Sequence, residues 1–125
     1  MKLRLKSNTV RFRTTRSEVA TLISTGRLEE KIEFAEGSGD FTYAIVLESD
    51  ASAVGIQYAS STITLVVPAT EARSWAQSDA VVIYAKVEGR VGPMDLILEK
   101  DFACLDRSNE HNQDTFPNPL TEAIC

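Results

Sequence analysis

Basic side chains dominate the first seventeen residues of this 125-residue chain, and no acidic residue lies among them. Guanidinium and ammonium groups bind phosphates and other anions through charge-assisted hydrogen bonds. The chemistry that this segment could perform is therefore anion binding. The candidate contacts are Lys2, Arg4, Arg11, Arg13 and Arg16, with Lys6 beside them.

The spacing of these residues predicts a β-hairpin with one charged face. Apolar side chains alternate with the basic ones on both sides of Ser7-Asn8, a pair of residues that is typical of turns. A two-residue turn there would place Arg4 opposite Arg11 and Lys2 opposite Arg13. Because like charges directly opposite each other destabilise a sheet, the hairpin needs negative charge close by.

Two sources of that negative charge are open. A phosphate backbone would make salt-dependent contacts that do not read the base sequence. Alternatively the partners are internal, because residues 1–50 contain eight basic and eight acidic residues. The second hairpin, expected over residues 54–67, has no Lys or Arg, so any nucleic-acid face would be one-sided. The internal candidates are Glu29, Glu30, Glu33, Glu48, Asp50 and the acidic C-terminal tail.

The C-terminal part of the chain contains its two cysteines and its histidine. Cys104 and His111 lie seven residues apart, and that spacing in a polar loop does not guarantee that a base is held against a nucleophile. Cys125 would complete only three irregularly spaced soft ligands for a metal. Asp101 and Asp106 could act as a pair of carboxylates, but most such residues are solvated at the surface. We therefore predict no catalytic residue, no metal site and no cofactor.

The elements that would position the basic hairpin recur along the chain. The capping-box pattern of Thr15 and Glu18, followed by Gly26, predicts a first helix, and Pro68 begins a second one. Both halves then have the order strand, strand, helix, strand, strand. Residue identities recur at an offset of 53 early in the repeat and of 51 at its end. The predicted strands cover residues 3–5, 10–12, 32–34, 41–47, 54–58, 63–67, 80–87 and 94–98.

These patterns predict an α+β fold made of two duplicated ββαββ units, about residues 2–50 and 54–101. One such unit buries little apolar surface alone, and fusion of two copies fixes their effective concentration. The expected result is a pseudo-twofold, swapped-hairpin-like β-barrel with two short helices, a monomer built like a dimer. The barrel domain would cover residues 1–105, and residues 106–125 would form a polar, proline-containing tail.

Three segments of the second half carry a family resemblance. Residues 63–73, ITLVVPATEAR, resemble the strand-Pro-helix segment of AbrB/MazE-type swapped-hairpin barrels. Residues 79–83 are similar to the strand that follows in that family, and residues 94–100 to its closing strand. The resemblance implies interleaved hairpins, DNA contact through basic residues near them, and tails that dock partner proteins. The two ends of the chain also resemble those of an uncharacterised group of small bacterial proteins.

Composition narrows the class of protein. Hydrophobic residues are 43% and charged residues 25%, which is typical of a folded globular domain. A net charge of -5 argues against a wholly basic surface for nucleic acid or membranes. No apolar run reaches the length of a membrane helix, and no apolar stretch follows the basic N-terminus. We predict no membrane segment, no signal peptide and a cytoplasmic location.

The leading hypothesis is a non-enzymatic binding or regulatory protein that contacts DNA or another anionic partner through the basic hairpin. The alternative is a protein-interaction or antitoxin-like module that docks a partner protein through residues 106–125. A small enzyme that uses Cys104 is the third hypothesis.

Overall fold

The computed structural model describes residues 1–102 and 114–116. Within these residues the chain forms eight β-strands and two α-helices, a mixed α+β architecture. Each half of the chain has the element order strand, strand, helix, strand, strand. The elements are β1 (Lys2–Lys6), β2 (Thr9–Thr14), α1 (Arg16–Thr25), β3 (Arg27–Glu33), β4 (Asp40–Glu48), β5 (Gly55–Ala59), β6 (Thr62–Pro68), α2 (Ala69–Gln77), β7 (Val82–Gly89) and β8 (Gly92–Lys100).

The strands form two four-stranded sheets. Sheet A has the strand order β1-β2-β8-β7, and sheet B has the order β3-β4-β6-β5. Each sheet combines the first hairpin of one half with the last hairpin of the other. The two hairpins of a sheet meet along a parallel pair, β2 with β8 in sheet A and β4 with β6 in sheet B.

One apolar core joins the two sheets and the two helices. Its members include Phe12 and Leu98 of sheet A and Ile45 and Leu65 of sheet B, all of them fully buried. Fully burying one such side chain stabilises the fold by about 1.5–3 kcal/mol. Because side chains alternate along a strand, the positions that do not enter the core form an outward face on each sheet.

The expected closed barrel is not formed. Among the described residues no hydrogen-bonded ladder connects sheet A to sheet B, and the outer strands of the two sheets are β1, β7, β3 and β5. The reason lies in the core, since side chains rather than a continuous ladder hold the two sheets together. The fold therefore keeps four sheet edges where a closed barrel would have none.

The helices begin where the sequence predicts. The Thr15 hydroxyl accepts from the Glu18 amide, and the Glu18 carboxylate accepts from the Thr15 amide at 2.9 Å, which completes the capping box. Gly26 ends α1 with a φ of 81°, in the left-handed region that favours glycine. Helix α2 begins directly after Pro68. No helix in the described part of the chain is long and apolar enough to cross a membrane.

Trp75 of α2 is buried in the core, as its alignment with Leu22 of α1 predicts. The indole N–H donates to the carbonyl of Val81 at 3.1 Å, so its polar group is satisfied. The largest difference from the sequence prediction is in β3, which begins at Arg27 rather than at residue 32, and the other seven strands differ by one or two residues at each end. The charged residues of β3 obscure its strand pattern, since this edge strand exposes both of its faces along most of its length.

Candidate anion-binding face

The outward face of sheet A carries the basic hairpin predicted from the sequence. The β1–β2 register pairs Arg4 with Arg11 and Lys2 with Arg13, which confirms the pairing expected from a two-residue turn. Leu3 and Phe12, at alternate positions, belong to the core or pack against it. The cations of both strands therefore point away from the core.

Three rows of side chains cross this outward face, one residue from each strand. Neighbouring strands are about 4.8 Å apart, so side chains that are adjacent in a row can interact directly. The cations of the hairpin lie on β1 and β2, whereas acidic and aromatic groups lie on β8 and β7. The rows are Lys2, Arg13, Glu99 and Val82; Arg4, Arg11, Ile97 and Tyr84; and Lys6, Thr9, Asp95 and Lys86.

Glu99 neutralises part of the charge of two arginines. Its carboxylate lies 2.7 Å from Nε of Arg13 and 3.2 Å from Nη1 of Arg11. The Glu99 side chain is 11% exposed, whereas each of the two arginine side chains is 33% exposed. One carboxylate between two guanidinium groups leaves this trio with net positive charge at the surface.

Lys2 also has an acidic partner from the end of sheet A. The Nζ atom of Lys2 lies 3.4 Å from Oδ2 of Asp101, which directly follows β8. The Asp101 side chain is buried, while that of Lys2 is largely exposed. Lys2 therefore anchors the β1 edge to the end of β8 as well as adding charge to the face.

Arg16 lies outside the three rows, at the start of α1. Its guanidinium donates to the Thr115 carbonyl at 3.1 Å, and Oδ1 of Asp114 accepts from the Ser17 amide at 3.0 Å. The Ser17 hydroxyl also donates to Asp114, and these hydrogen bonds lower the pKa of the Asp114 carboxyl. The segment 114–116 thus lies on the N-terminal end of α1 and holds Arg16 away from the hairpin face.

Arg4 and Lys6 are the cations of the hairpin that lack such partners. Both are exposed, and neither forms an ion pair with any residue that the structure describes. Two shallow depressions of about 250 and 350 Å³ adjoin Arg4 and Arg11. The smaller is also lined by Lys6 and Thr9. This end of the face can therefore accept an anion without first breaking an ion pair between Arg4 or Lys6 and any residue in the described part of the chain.

Tyr84 stands at the other end of the Arg4 row and is 54% exposed. Its hydroxyl donates to Oδ1 of Asp95 at 2.5 Å, and this hydrogen bond is the main reason that the pKa of Tyr84 is raised. Nζ of Lys86 lies 3.8 Å from the same Asp95 oxygen. The Asp95 carboxylate is therefore shared between a phenol and an ammonium group.

The acids that neutralise the hairpin are not those expected from the first half of the chain. Glu29, one of the expected partners, instead lies 3.4 Å from Arg27 on the same strand. The partners observed are Glu99 and Asp101, about ninety residues away from the hairpin in the sequence. Only the parallel pairing of β2 with β8 brings them together, and no local pattern signals that pairing.

Tyr84 is a member of the face that was not predicted from the sequence, although the alternation along β7 is a usable signal. In β7 the core-facing Ile83 and Ala85 alternate with the exposed Val82, Tyr84 and Lys86. The pattern assigns Tyr84 to an outward face. It does not say that this face is shared with the basic hairpin, because that depends on the strand order.

The residues considered for catalysis or metal binding fall into two groups. Asp101 was expected at the solvated surface, but its side chain is buried and pairs with Lys2. Cys104, Asp106, His111 and Cys125 lie outside the described residues. In residues 1–102 and 114–116 no group of three or more His, Cys, Asp or Glu side chains is arranged to hold a metal ion.

The fold and the face define a class of small two-sheet α+β proteins in which one sheet presents a basic outward surface. The chain belongs to the DUF7009 family, a family of unknown function whose model matches residues 1–120. No curated protein and no solved structure matches the chain.

Proposed function

We propose that this protein is a non-enzymatic binding protein that holds an anionic, phosphate-bearing partner such as DNA on the outward face of sheet A. The observation that carries the proposal is the direct pairing of Arg4 with Arg11 beside Lys6. A phosphate between these groups would relieve their mutual repulsion and accept charge-assisted hydrogen bonds.

The proposed contact set is smaller than the basic hairpin as a whole. Arg11 and Arg13 share the Glu99 carboxylate, so each offers only part of its charge to a partner. Arg4 and Lys6 therefore make the main contacts, with Arg11 as the third. Lys2 and Arg13 extend the positive field, and Arg16 is not part of the set because Thr115 holds it elsewhere.

About three phosphate contacts predict a moderate salt dependence. For a duplex, the logarithm of the affinity should fall against the logarithm of salt concentration with a slope of about -3. The net charge of -5 adds a general repulsion of polyanions, so binding depends on this one face.

We also propose that the chain is a fusion of two swapped-hairpin units of the AbrB/MazE type, which acts as a monomer built like a dimer. The registers support this idea, because Thr9 pairs with Asp95 and Thr62 pairs with Thr42, and both members differ by 53 positions between the two pairs. The offset of 51 seen in residue identities therefore does not describe the ladders. Matching residues of β3 and β7 are 55 positions apart, because the loop after α2 is longer than the loop after α1.

Docking of a partner protein through residues 106–125 stays the alternative proposal. Most of that segment lies outside the described residues. The contacts of residues 114–116 with α1 tie the middle of the segment to its own domain.

The test compares two variants that each remove two exposed cations. The site variant is Arg4→Gln with Lys6→Gln, and the matched control is Arg27→Gln with Lys31→Gln on the edge strand β3 of sheet B. Both have the same net charge. Fluorescence anisotropy with a labelled duplex of about 20 base pairs, at about 20 mM salt, measures binding of each.

We expect the site variant to bind about tenfold more weakly than the unsubstituted protein and to have a shallower salt slope, because two of three phosphate contacts are gone. The control should bind almost normally. Equal losses in both variants, or no binding by the unsubstituted protein even at low salt to any phosphate polymer, would overturn the proposal.

A further inference from the structure

We propose that the partner of this face is a single-stranded nucleic acid, with phosphates at Arg4 and Arg11 and a base stacked on Tyr84. This inference rests on the proposed function and makes it more specific. It depends on a feature that the basic hairpin alone does not have, an exposed aromatic ring in the same row as Arg4, which forms no ion pair with any described residue.

Arg4 and Tyr84 stand at opposite ends of one row. The row crosses four strands, so three spacings of about 4.8 Å place the two backbones about 14 Å apart. Ile97, which is half-buried, lies between Arg11 and Tyr84. A chain laid along this row would therefore meet guanidinium groups, then an apolar surface, then an aromatic ring.

The Tyr84 ring is held in a position suited to stacking. Its side chain is 54% exposed, and Val82, which is 43% exposed, lies on the same side of β7. The hydrogen bond from the Tyr84 hydroxyl to Asp95 restrains the ring, so less entropy is lost when a base stacks on it. Stacking of bases on aromatic side chains tolerates any sequence, because every base has a π-face.

The shape of the face disfavours a duplex. The outer strands of sheet A are about 14 Å apart before side chains are counted, whereas the major groove is about 12 Å wide and accepts a helix or a two-stranded ribbon. In a duplex the bases are stacked within the helix and cannot reach Tyr84. Unpaired bases can leave the stack and lie on an open sheet.

Acidic groups on the same face limit where a nucleic-acid strand can lie on it and how tightly the strand can bind. Glu99 is largely buried between Arg11 and Arg13, and Asp95 is shared by Tyr84 and Lys86. Glu88 is exposed near the far end of β7. These carboxylates leave the Arg4 row as the one with no acidic member, and they predict modest affinity.

The experiment separates phosphate binding from base stacking. The probes are labelled oligothymidine and oligouridine of about 12 nucleotides, a duplex of the same length, and inorganic polyphosphate as a phosphate chain without bases. The variants are Tyr84→Leu, which removes the ring, and Tyr84→Phe, which keeps the ring without its hydroxyl. The control is Tyr58→Leu, at a more exposed tyrosine on the edge strand β5 of sheet B.

We expect both single strands to bind more tightly than the duplex, and Tyr84→Leu to weaken single-strand binding about tenfold. Tyr58→Leu should bind single strands almost normally. Tyr84→Phe should lose less than Tyr84→Leu, because it keeps the ring and loses only the hydrogen bond that restrains it. Polyphosphate binding should be the same in all three variants.

The inference fails, and the proposed function survives, if three results occur together. The duplex or polyphosphate binds as well as the single strands, Tyr84→Leu changes no binding, and Arg4→Gln with Lys6→Gln still weakens binding. Both the inference and the proposed function fail if no probe binds at low salt.

Discussion

Sheet A and sheet B have equivalent strand registers, but the side chains on their outward faces differ in charge and polarity. Where sheet A has Arg4 opposite Arg11, sheet B has Gln57 opposite Thr64. In the next position along each row, Ile97 of sheet A corresponds to Ala44 of sheet B. Outward positions can diverge in this way because they do not enter the core that both sheets share.

The difference extends to acids as well as cations. Glu99 of sheet A corresponds in register to Val46 of sheet B, and its neighbour Arg13 corresponds to Val66. The carboxylate and the cations that it neutralises occur together in one sheet and are absent together from the described face of the other. Charge on a sheet face is therefore a property of cross-strand neighbours as a group, because like charges directly opposite each other are destabilising unless an opposite charge lies close by.

The largest expected effect tests whether the two sheets, despite their different faces, depend on one core. Phe12 and Leu65 occupy equivalent buried positions in the two sheets. We expect Phe12→Ala to lower the free energy of unfolding by about 3–5 kcal/mol and Leu65→Ala by about 2–5 kcal/mol. Urea unfolding followed by Trp75 fluorescence and by circular dichroism should show a single transition in each variant. Separate transitions for the two probes would contradict a shared core.

The second prediction concerns the balance of charge on sheet A. We expect Glu99→Gln to strengthen binding of a phosphate polymer several-fold, because Arg11 and Arg13 lose their shared carboxylate partner. The same change should lower the free energy of unfolding by about 1 kcal/mol, since charge-assisted hydrogen bonds are lost. Glu29→Gln on sheet B removes the same charge and is the control for binding. Equal strengthening by both variants would mean that only net charge matters.

The third prediction concerns the equivalent turns that begin the two halves. In the β5–β6 turn both Ser60 and Ser61 have positive φ, at 51° and 57°, whereas in the β1–β2 turn only Ser7 does, at 50°. We expect Ser61→Gly to raise the free energy of unfolding by about 1 kcal/mol, because glycine adopts this conformation without a steric penalty.

The control for this prediction is Asn8→Gly, at the matching position of the other turn. Its φ is not positive, so glycine there should be neutral or destabilising. Thermal unfolding of the two variants measures the difference. Equal stabilisation by both substitutions would show that the two turns do not differ in backbone strain.

The smallest expected effect is on the titration of Tyr84, which has no tyrosine counterpart in sheet B, where Glu29 holds the matching position. The Tyr84 hydroxyl donates to Asp95 only while it is protonated, so the folded pKa lies above the ordinary value of 10.0. This contact therefore contributes stability that is present below pH 10 and is lost as pH rises through the folded pKa.

We expect Asp95→Asn to lower the pKa of Tyr84, measured by NMR titration of its ring resonances. Asp40→Asn on sheet B, which removes a carboxylate beside Lys31, should leave that titration unchanged. An unaltered Tyr84 titration in Asp95→Asn would remove Asp95 as the cause of the raised pKa.

Local elements were largely predictable from the sequence, because their signals lie within a few residues of one another. The capping box of Thr15 and Glu18 and the turn at Ser7-Asn8 both form as expected. Strand β3 was only partly predictable, because its charged residues resemble a loop and its edge position tolerates them. Whether the sheets close into a barrel could not be predicted from the sequence, because closure depends on whether strand edges that are far apart in the chain meet.

The amino-acid sequence by itself determined the element order, the alternation that separates core from surface, and the concentration of basic residues on one hairpin. These properties follow from local spacing and propensity. Only the tertiary structure decided that Glu99 and Asp101 would pair with Arg11, Arg13 and Lys2, and that Tyr84 would share their face. The physical reason is the parallel contact of β2 with β8, which aligns residues that are far apart in the chain. This contact is made by backbone hydrogen bonds, and their pattern does not depend on which side chains the strands carry.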